Sequence, residues 1–236
     1  STCGQIEFAK YLCDELISIG IKDAYIDKHN YVIGTLPSNT NKKLPILGLI
    51  AHIDTSPDTS GENVNAQTIH NYDGTDILLN KEKNIVLKAK EYPELTKYRG
   101  QTIICSDGTT LLGADDKAGI AEIMTAIEYL MKHSEIEHGE VKIAFTSDEE
   151  IGRGVDFFDV DKFGADFAFT IDGGELGELE YENFNAAIAQ INISGKNIHP
   201  GYAKNKMVNA IQLFNELHNL LPINERPETT DNYEGF

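Results

Sequence analysis

Three short apolar runs, residues 46–50, 141–146 and 167–171, each stop at side chains able to hold a cation or a proton. The first ends at His52-Ile53-Asp54, the second at Asp148-Glu149-Glu150, and the third at Asp172-Gly173-Gly174. Runs of this length read as strands buried on both faces. Between the first two, Ile120, Ile123, Met124, Ile127 and Leu130 recur at three and four, predicting a helix over residues 117–133. Strands alternating with helices point to an α/β fold with a mixed, mainly parallel central sheet flanked by helices. In such sheets, ligands collect beyond the carboxyl ends of the strands, and that is where the polar residues above would lie.

Elsewhere the pattern is plainer. Ile6, Ala9, Leu12, Leu16 and Ile19 form one apolar stripe, so a helix is expected up to Gly20, followed by strands at residues 23–27 and 31–36. Residues 55–100 are polar and rich in turn formers, which predicts a long excursion over the surface before a short strand at 102–105. Past Asn183 the character shifts to a strand at 186–194, a polar loop at 195–205 and a helix at 207–220. This reads as the opening of a smaller second domain of α+β type, giving domains at 1–182 and 183–236.

Composition excludes several function classes. With 20 Lys and Arg against 38 Asp and Glu, the net charge of −18 repels nucleic-acid phosphate and anionic membrane, and neither is expected as a partner. No run reaches the roughly 18 apolar residues needed to span a bilayer. The three cysteines, Cys3, Cys13 and Cys105, are far apart and form no CxxC pair, so neither a disulfide framework nor a thiolate zinc site is indicated, and a cytoplasmic location is expected.

Four segments carry candidate chemistry, each with an ordinary explanation of its own. His52 and Asp54, two apart in an extended segment, face the same side, so the carboxylate can orient the imidazole as a metal ligand or the pair can simply cap the strand. Asp115 and Asp116 precede the helix, where capping explains one acid but not readily both. Asp148, Glu149 and Glu150 crowd three negative charges into one turn, a repulsion that solvent, cations or raised pKa values must relieve. Asp172 with its two glycines also suits a plain turn. Taken together, His52, Asp115, Glu150 and Asp172 come from four separate element ends at one sheet edge. Carboxylates with imidazole suit zinc, manganese or cobalt, and one shared carboxylate between terminal ligands is how paired metals in hydrolases are clamped.

These segments resemble the M20 metallopeptidase family in order and spacing: Ala51-His52-Ile53-Asp54-Thr55-Ser56-Pro57-Asp58, Leu111-Leu112-Gly113-Ala114-Asp115-Asp116-Lys117-Ala118-Gly119, Ser147-Asp148-Glu149-Glu150-Ile151-Gly152 and Thr170-Ile171-Asp172-Gly173-Gly174. The likeness covers essentially the whole chain. It extends to Glu180-Tyr181-Glu182-Asn183-Phe184-Asn185-Ala186-Ala187, to His199-Pro200-Gly201 and to Met207-Val208-Asn209-Ala210, which are closer to the family's tripeptide-cleaving aminopeptidases than to the family at large.

The resemblance implies a zinc-exopeptidase-like catalytic domain over 1–182, and a lid or dimerisation domain beginning at 183, with a homodimer possible. It implies two divalent ions, zinc first, with cobalt or manganese as alternatives. His52 and Asp172 would hold one ion, Glu150 the other, and Asp115 would bridge them. Asp54 would orient His52, Glu149 would act as general base on a water bridging the ions, and His199 would stabilise the oxyanion. The implied reaction is release of the N-terminal residue from tripeptides, short peptides being the substrate. Another M20-type hydrolysis (dipeptidase, carboxypeptidase or deacylase) and a non-catalytic metal-binding module are the alternatives. The family's last metal ligand, a histidine, would fall beyond residue 236. The resemblance thus implies a chain cut short at its C-terminus and trimmed at its start, with weak activity or none as it stands.

Overall fold

The computed structural model describes residues 1–183 and 188–230. The chain divides into two compact units, the first Ser1–Glu178 and the second beginning at Leu179. The first is built on a five-stranded sheet of β1 (Tyr25–Ile26), β2 (Val32–Leu36), β3 (Leu47–His52), β8 (Val141–Thr146) and β9 (Phe167–Thr170), in the order β1-β2-β8-β3-β9. β8, β3 and β9 run parallel, while β1 and β2 complete one side in antiparallel fashion. The expected mixed α/β sheet is thus what the chain adopts.

Alternation along the strands sorts the core. Val32 and Leu36, Leu47, Leu49 and Ala51, and Val141, Ile143 and Phe145 share one apolar cluster with the two long helices. Helix α1 (Cys3–Ile19) contributes Ala9, Leu12, Cys13 and Leu16, the stripe read from its spacing. It begins at Thr2, whose hydroxyl accepts the Gln5 N–H, and ends at Gly20, which turns left-handed at φ 114°. Helix α2 (Ala114–Lys132) contributes Ile120, Ile123, Met124 and Ile127. The first turn of α2 departs from helical geometry at Asp115 and Asp116, whose joining peptide bond is cis. The opposite face of β3 is approached by the short helix α3 (Val160–Phe163): a side chain added at Gly48 would stand 2.7 Å from the Phe163 ring.

Two expectations need correction. Residues 55–100 are not an irregular excursion, while the short strand expected at 102–105 is present as β7 (Ile103–Cys105). β4 (Gln67–Ile69) pairs with β7 (Ile103–Cys105), and between them β5 (Ile77–Asn80) pairs with β6 (Ile85–Leu87), followed by a 3-10 turn at Pro93–Tyr98. Strands of three or four residues are too short to display a period, and β4 finds its partner more than thirty residues away. Nor is β9 a buried strand: all four of its residues are exposed, because among the described residues it pairs with β3 alone and stands at the sheet edge.

In the second unit, helix α4 (Ala210–Leu220) starts at Asn209, whose side chain accepts the Ile211 N–H at 3.0 Å. Lys196 and Val208 form an isolated antiparallel bridge. The strand expected at 186–194 is not formed over 188–194, and its first two residues lie outside the described residues, as do Phe184 and Asn185 of the quoted motif.

Phe145 is fully buried at the centre of this core. Phe145→Ala is expected to cost about 3–5 kcal/mol, read as a lowered urea midpoint with an unchanged slope.

Candidate metal centre

Parallel pairing puts the ends of three strands side by side. His52 stands opposite Thr146 across β3 and β8, and Ile50 opposite Thr170 across β3 and β9. The segments that follow therefore emerge at one edge: Ile53-Asp54 after β3, Ser147 to Glu150 after β8, and Ile171-Asp172 after β9. Helix α2 brings Asp115 and Asp116 to the same place.

His52 is the hub and is buried. Its Nε2 lies 2.8 Å from Asp115 Oδ1 and 3.8 Å from both Glu149 Oε2 and Asp172 Oδ2. Its Nδ1 lies 3.4 Å from Asp54 Oδ1, an ion-pair distance but too poorly aligned for a hydrogen bond, so that among the described residues this buried nitrogen has no hydrogen-bond partner. Asp54 in turn accepts the Glu149 N–H on one oxygen and the Glu150 N–H on the other, both at 3.1 Å. One buried carboxylate thus ties the end of β3 to the acidic turn after β8. The turn itself closes through Gly152 N–H to the Glu149 carbonyl at 2.7 Å. Gly154 leaves room for Glu149, since a Cβ there would press on its side chain at 3.1 Å.

Ligand atoms of His52, Asp115 and Glu150 lie within 4.8 Å of one another, as do those of His52, Asp116 and Asp172. The structure therefore brings His52, Asp54, Asp115, Glu149, Glu150 and Asp172 into one cluster. Asp116, left without a role by sequence reasoning, is also there and is buried. Its signal was the second adjacent acid that capping alone did not account for. His199 belongs to the second unit, where it is exposed and its Nδ1 accepts the Gly201 N–H at 3.2 Å, which leaves Nε2 as the proton-bearing nitrogen of the neutral ring. The other histidines have ordinary surroundings: His29 stacks on Phe157, His70 meets Thr102, His133 meets Glu135, His138 meets the Gly139 carbonyl and His218 meets Glu228.

The charges explain the titration behaviour. Burial alone would push His52 down, but the Asp54 carboxylate beside Nδ1 and the Asp115 carboxylate hydrogen-bonded at Nε2, with the charge of Asp116, outweigh it and raise the imidazole to about 9. Burial likewise opposes ionisation of Asp54, yet His52 and the two backbone donors win and hold it below the usual carboxylate range. Burial raises Asp116 to about 6 against the pull of the His52 N–H. Burial also raises Asp172 and Glu150, and the charge of Asp115 adds to both. Acids that resist ionisation around one imidazole form a donor set that a divalent cation would relieve, and hard oxygens with one nitrogen, His52 Nε2, suit zinc, manganese or cobalt.

A cation entering this cluster competes with the His52 proton. At pH 7 its uptake is expected to release about one proton from that ring, because a ligating imidazole must be neutral. Affinity should therefore rise with pH up to about 9 and then level off. Calorimetry in buffers of different ionisation enthalpy measures the release; uptake at pH 7 without it would contradict the assignment of His52.

Comparison with known proteins agrees with the motif resemblance. The chain is 61% identical over all of its 236 residues to peptidase T of Clostridium novyi, and equally to peptidase T of Halothermothrix orenii, and it spans 58% of the length of each. The sequence pattern of the peptidase dimerisation domain of the M20 family matches residues 181–236. Among solved structures, aminopeptidase PepT from Bacillus cereus superposes with a TM-score of 0.61 at 25% identity, covering 94% of this chain and 53% of that one. A tripeptidase from Staphylococcus aureus superposes at 0.56 with 23% identity, covering 89% of this chain and 49% of that one, which is a likeness of fold. The resemblance to the M20 metallopeptidases is therefore borne out, and within them it lies with peptidase T.

Proposed function

We propose that this chain is the metal-binding catalytic portion of an aminopeptidase of the peptidase T kind, releasing the N-terminal residue from tripeptides. The observation that carries the reading is the convergence of His52, Asp115, Glu150 and Asp172 on one sheet edge, with Glu149 beside them. The whole-length likeness to proteins named peptidase T supports the substrate class.

In this reading four residues would hold two divalent ions: His52 and Asp172 would serve one, Glu150 the other, and Asp115 both. When bound, such ions lower the pKa of water and polarise the scissile carbonyl. Glu149 is the general base: it takes the proton from the attacking water and later delivers it to the departing amine. Its backbone N–H is held by Asp54, while its half-exposed carboxylate stands 3.8 Å from His52 Nε2, within reach of a proton on the attacking water. Asp54 keeps the His52 ring facing the cluster while holding the backbone of the base in place. His199, with its proton on Nε2, is suited to donate to the oxyanion that forms at the carbonyl. The domain division at 182/183, a homodimer formed through the region matching the dimerisation pattern, and zinc as the metal belong to the same proposal.

Glu149→Ala in the full-length protein should lower kcat by about a hundredfold or more, the scale of a lost general base, with metal content unchanged. Elemental analysis alongside a tripeptide assay checks this, and parallel loss of metal and turnover would show that Glu149 is a ligand instead. Comparing di-, tri- and tetrapeptides tests the substrate; preference for a dipeptide or an acylated amino acid would move the protein to another M20-type hydrolysis.

A further inference from the structure

We propose that Asp116 is a positioning residue that locks the first turn of α2 to the end of β3 and so sets where Asp115 meets His52. The inference rests on the metal-centre reading above and adds to it a residue outside the ligand set. Asp116 is 3% exposed, and both of its oxygens are committed to backbone donors on different elements. Oδ2 accepts the His52 N–H at 3.0 Å, and Oδ1 accepts the Gly119 N–H at 3.2 Å. The second bond, to the amide three residues on, is that of a helix N-cap, and it begins regular helix just past the two residues with non-helical geometry. The first bond grips the backbone of the residue whose imidazole faces the preceding carboxylate at 2.8 Å. A single side chain therefore fixes both partners of the His52–Asp115 contact.

Gly119 shows how closely the helix start is drawn in. A Cβ there would collide with the Ile171 carbonyl oxygen and stand 2.5 Å from Asp116 Oδ1. The first turn of α2 is thus seated between the end of β3 and the segment that delivers Asp172, and three of the four ligand positions depend on the seat. Asp115 contrasts with its neighbour: its side chain is 68% exposed and open to the cluster, whereas that of Asp116 is turned into backbone. A buried carboxylate already satisfied by two N–H groups is built to anchor, because removing it orphans both donors at once.

The test uses the full-length protein with Asp116→Asn and Asp116→Ala, loaded with Co(II). Three quantities are measured: apparent affinity against a competing chelator, the visible spectrum at saturation, and hydrogen exchange of the His52 amide in metal-free protein. Expected for Asp116→Ala are about 10- to 100-fold weaker binding, the scale of losing a group that orients ligands, an altered Co(II) spectrum with ion stoichiometry retained, and faster His52 exchange. Asp116→Asn, which keeps one acceptor oxygen, should fall between it and the natural protein, and it carries the test alone if the alanine variant does not fold. Natural affinity and spectrum in Asp116→Asn and, where it folds, Asp116→Ala would overturn the proposal. So would loss of one ion at saturation with His52 exchange unchanged, since Asp116 would then be a ligand. If the natural protein itself takes up no Co(II), the metal-centre reading fails and the positional role falls with it; if it does, a negative result counts against Asp116 alone.

Discussion

The in-register parallel pairing of β3 with β8 and β9 is the constraint from which the site follows. Parallel neighbours end on the same side of a sheet, so residues separated by about a hundred positions in sequence, such as His52 and Glu150, are delivered to one edge without any long-range recognition between them. Asp54 then converts proximity into geometry. Its two oxygens hold the successive amides of Glu149 and Glu150, so the acidic turn cannot relax away from β3 without orphaning a buried carboxylate.

The cluster so formed is electrostatically unfavourable for the protein alone. Asp54, Asp115, Asp116, Glu149, Glu150 and Asp172 gather around a single imidazole, and the upward shifts at Asp116, Glu150 and Asp172 express the cost of ionising acids under partial burial beside one another. The two deepest acids, Asp54 and Asp116, are both satisfied by backbone donors, whereas Asp115, hydrogen-bonded to His52, and Glu149 are at least half exposed. That division separates groups that hold the scaffold from groups available for chemistry, a distinction invisible in a row of Asp and Glu letters.

Much of the fold was legible from local pattern. The stripe on α1 and its stop at Gly20, the strand at residues 141–146 and the face of α2 appear where their periods put them, because each is decided within a few residues. What failed did so for a common reason. The short strands β4, β5 and β6 have no period to read, and β9 reads as buried from its apolar letters although, among the described residues, it has a neighbour on one side alone. The pair Asp115-Asp116 was half legible: one acid was read as a cap, and only the backbone partners show that it is the second.

By itself, the sequence determined which chemical groups stand at the ends of its strands and the start of its long helix, since strand period and helix stripe are set by neighbouring residues. Tertiary structure alone decided which acids are buried against amides and which remain open, and that His52 sits at their centre. Those outcomes depend on hydrogen-bond donors supplied from the far side of the chain, and the cost of burying a charge is settled only when they arrive.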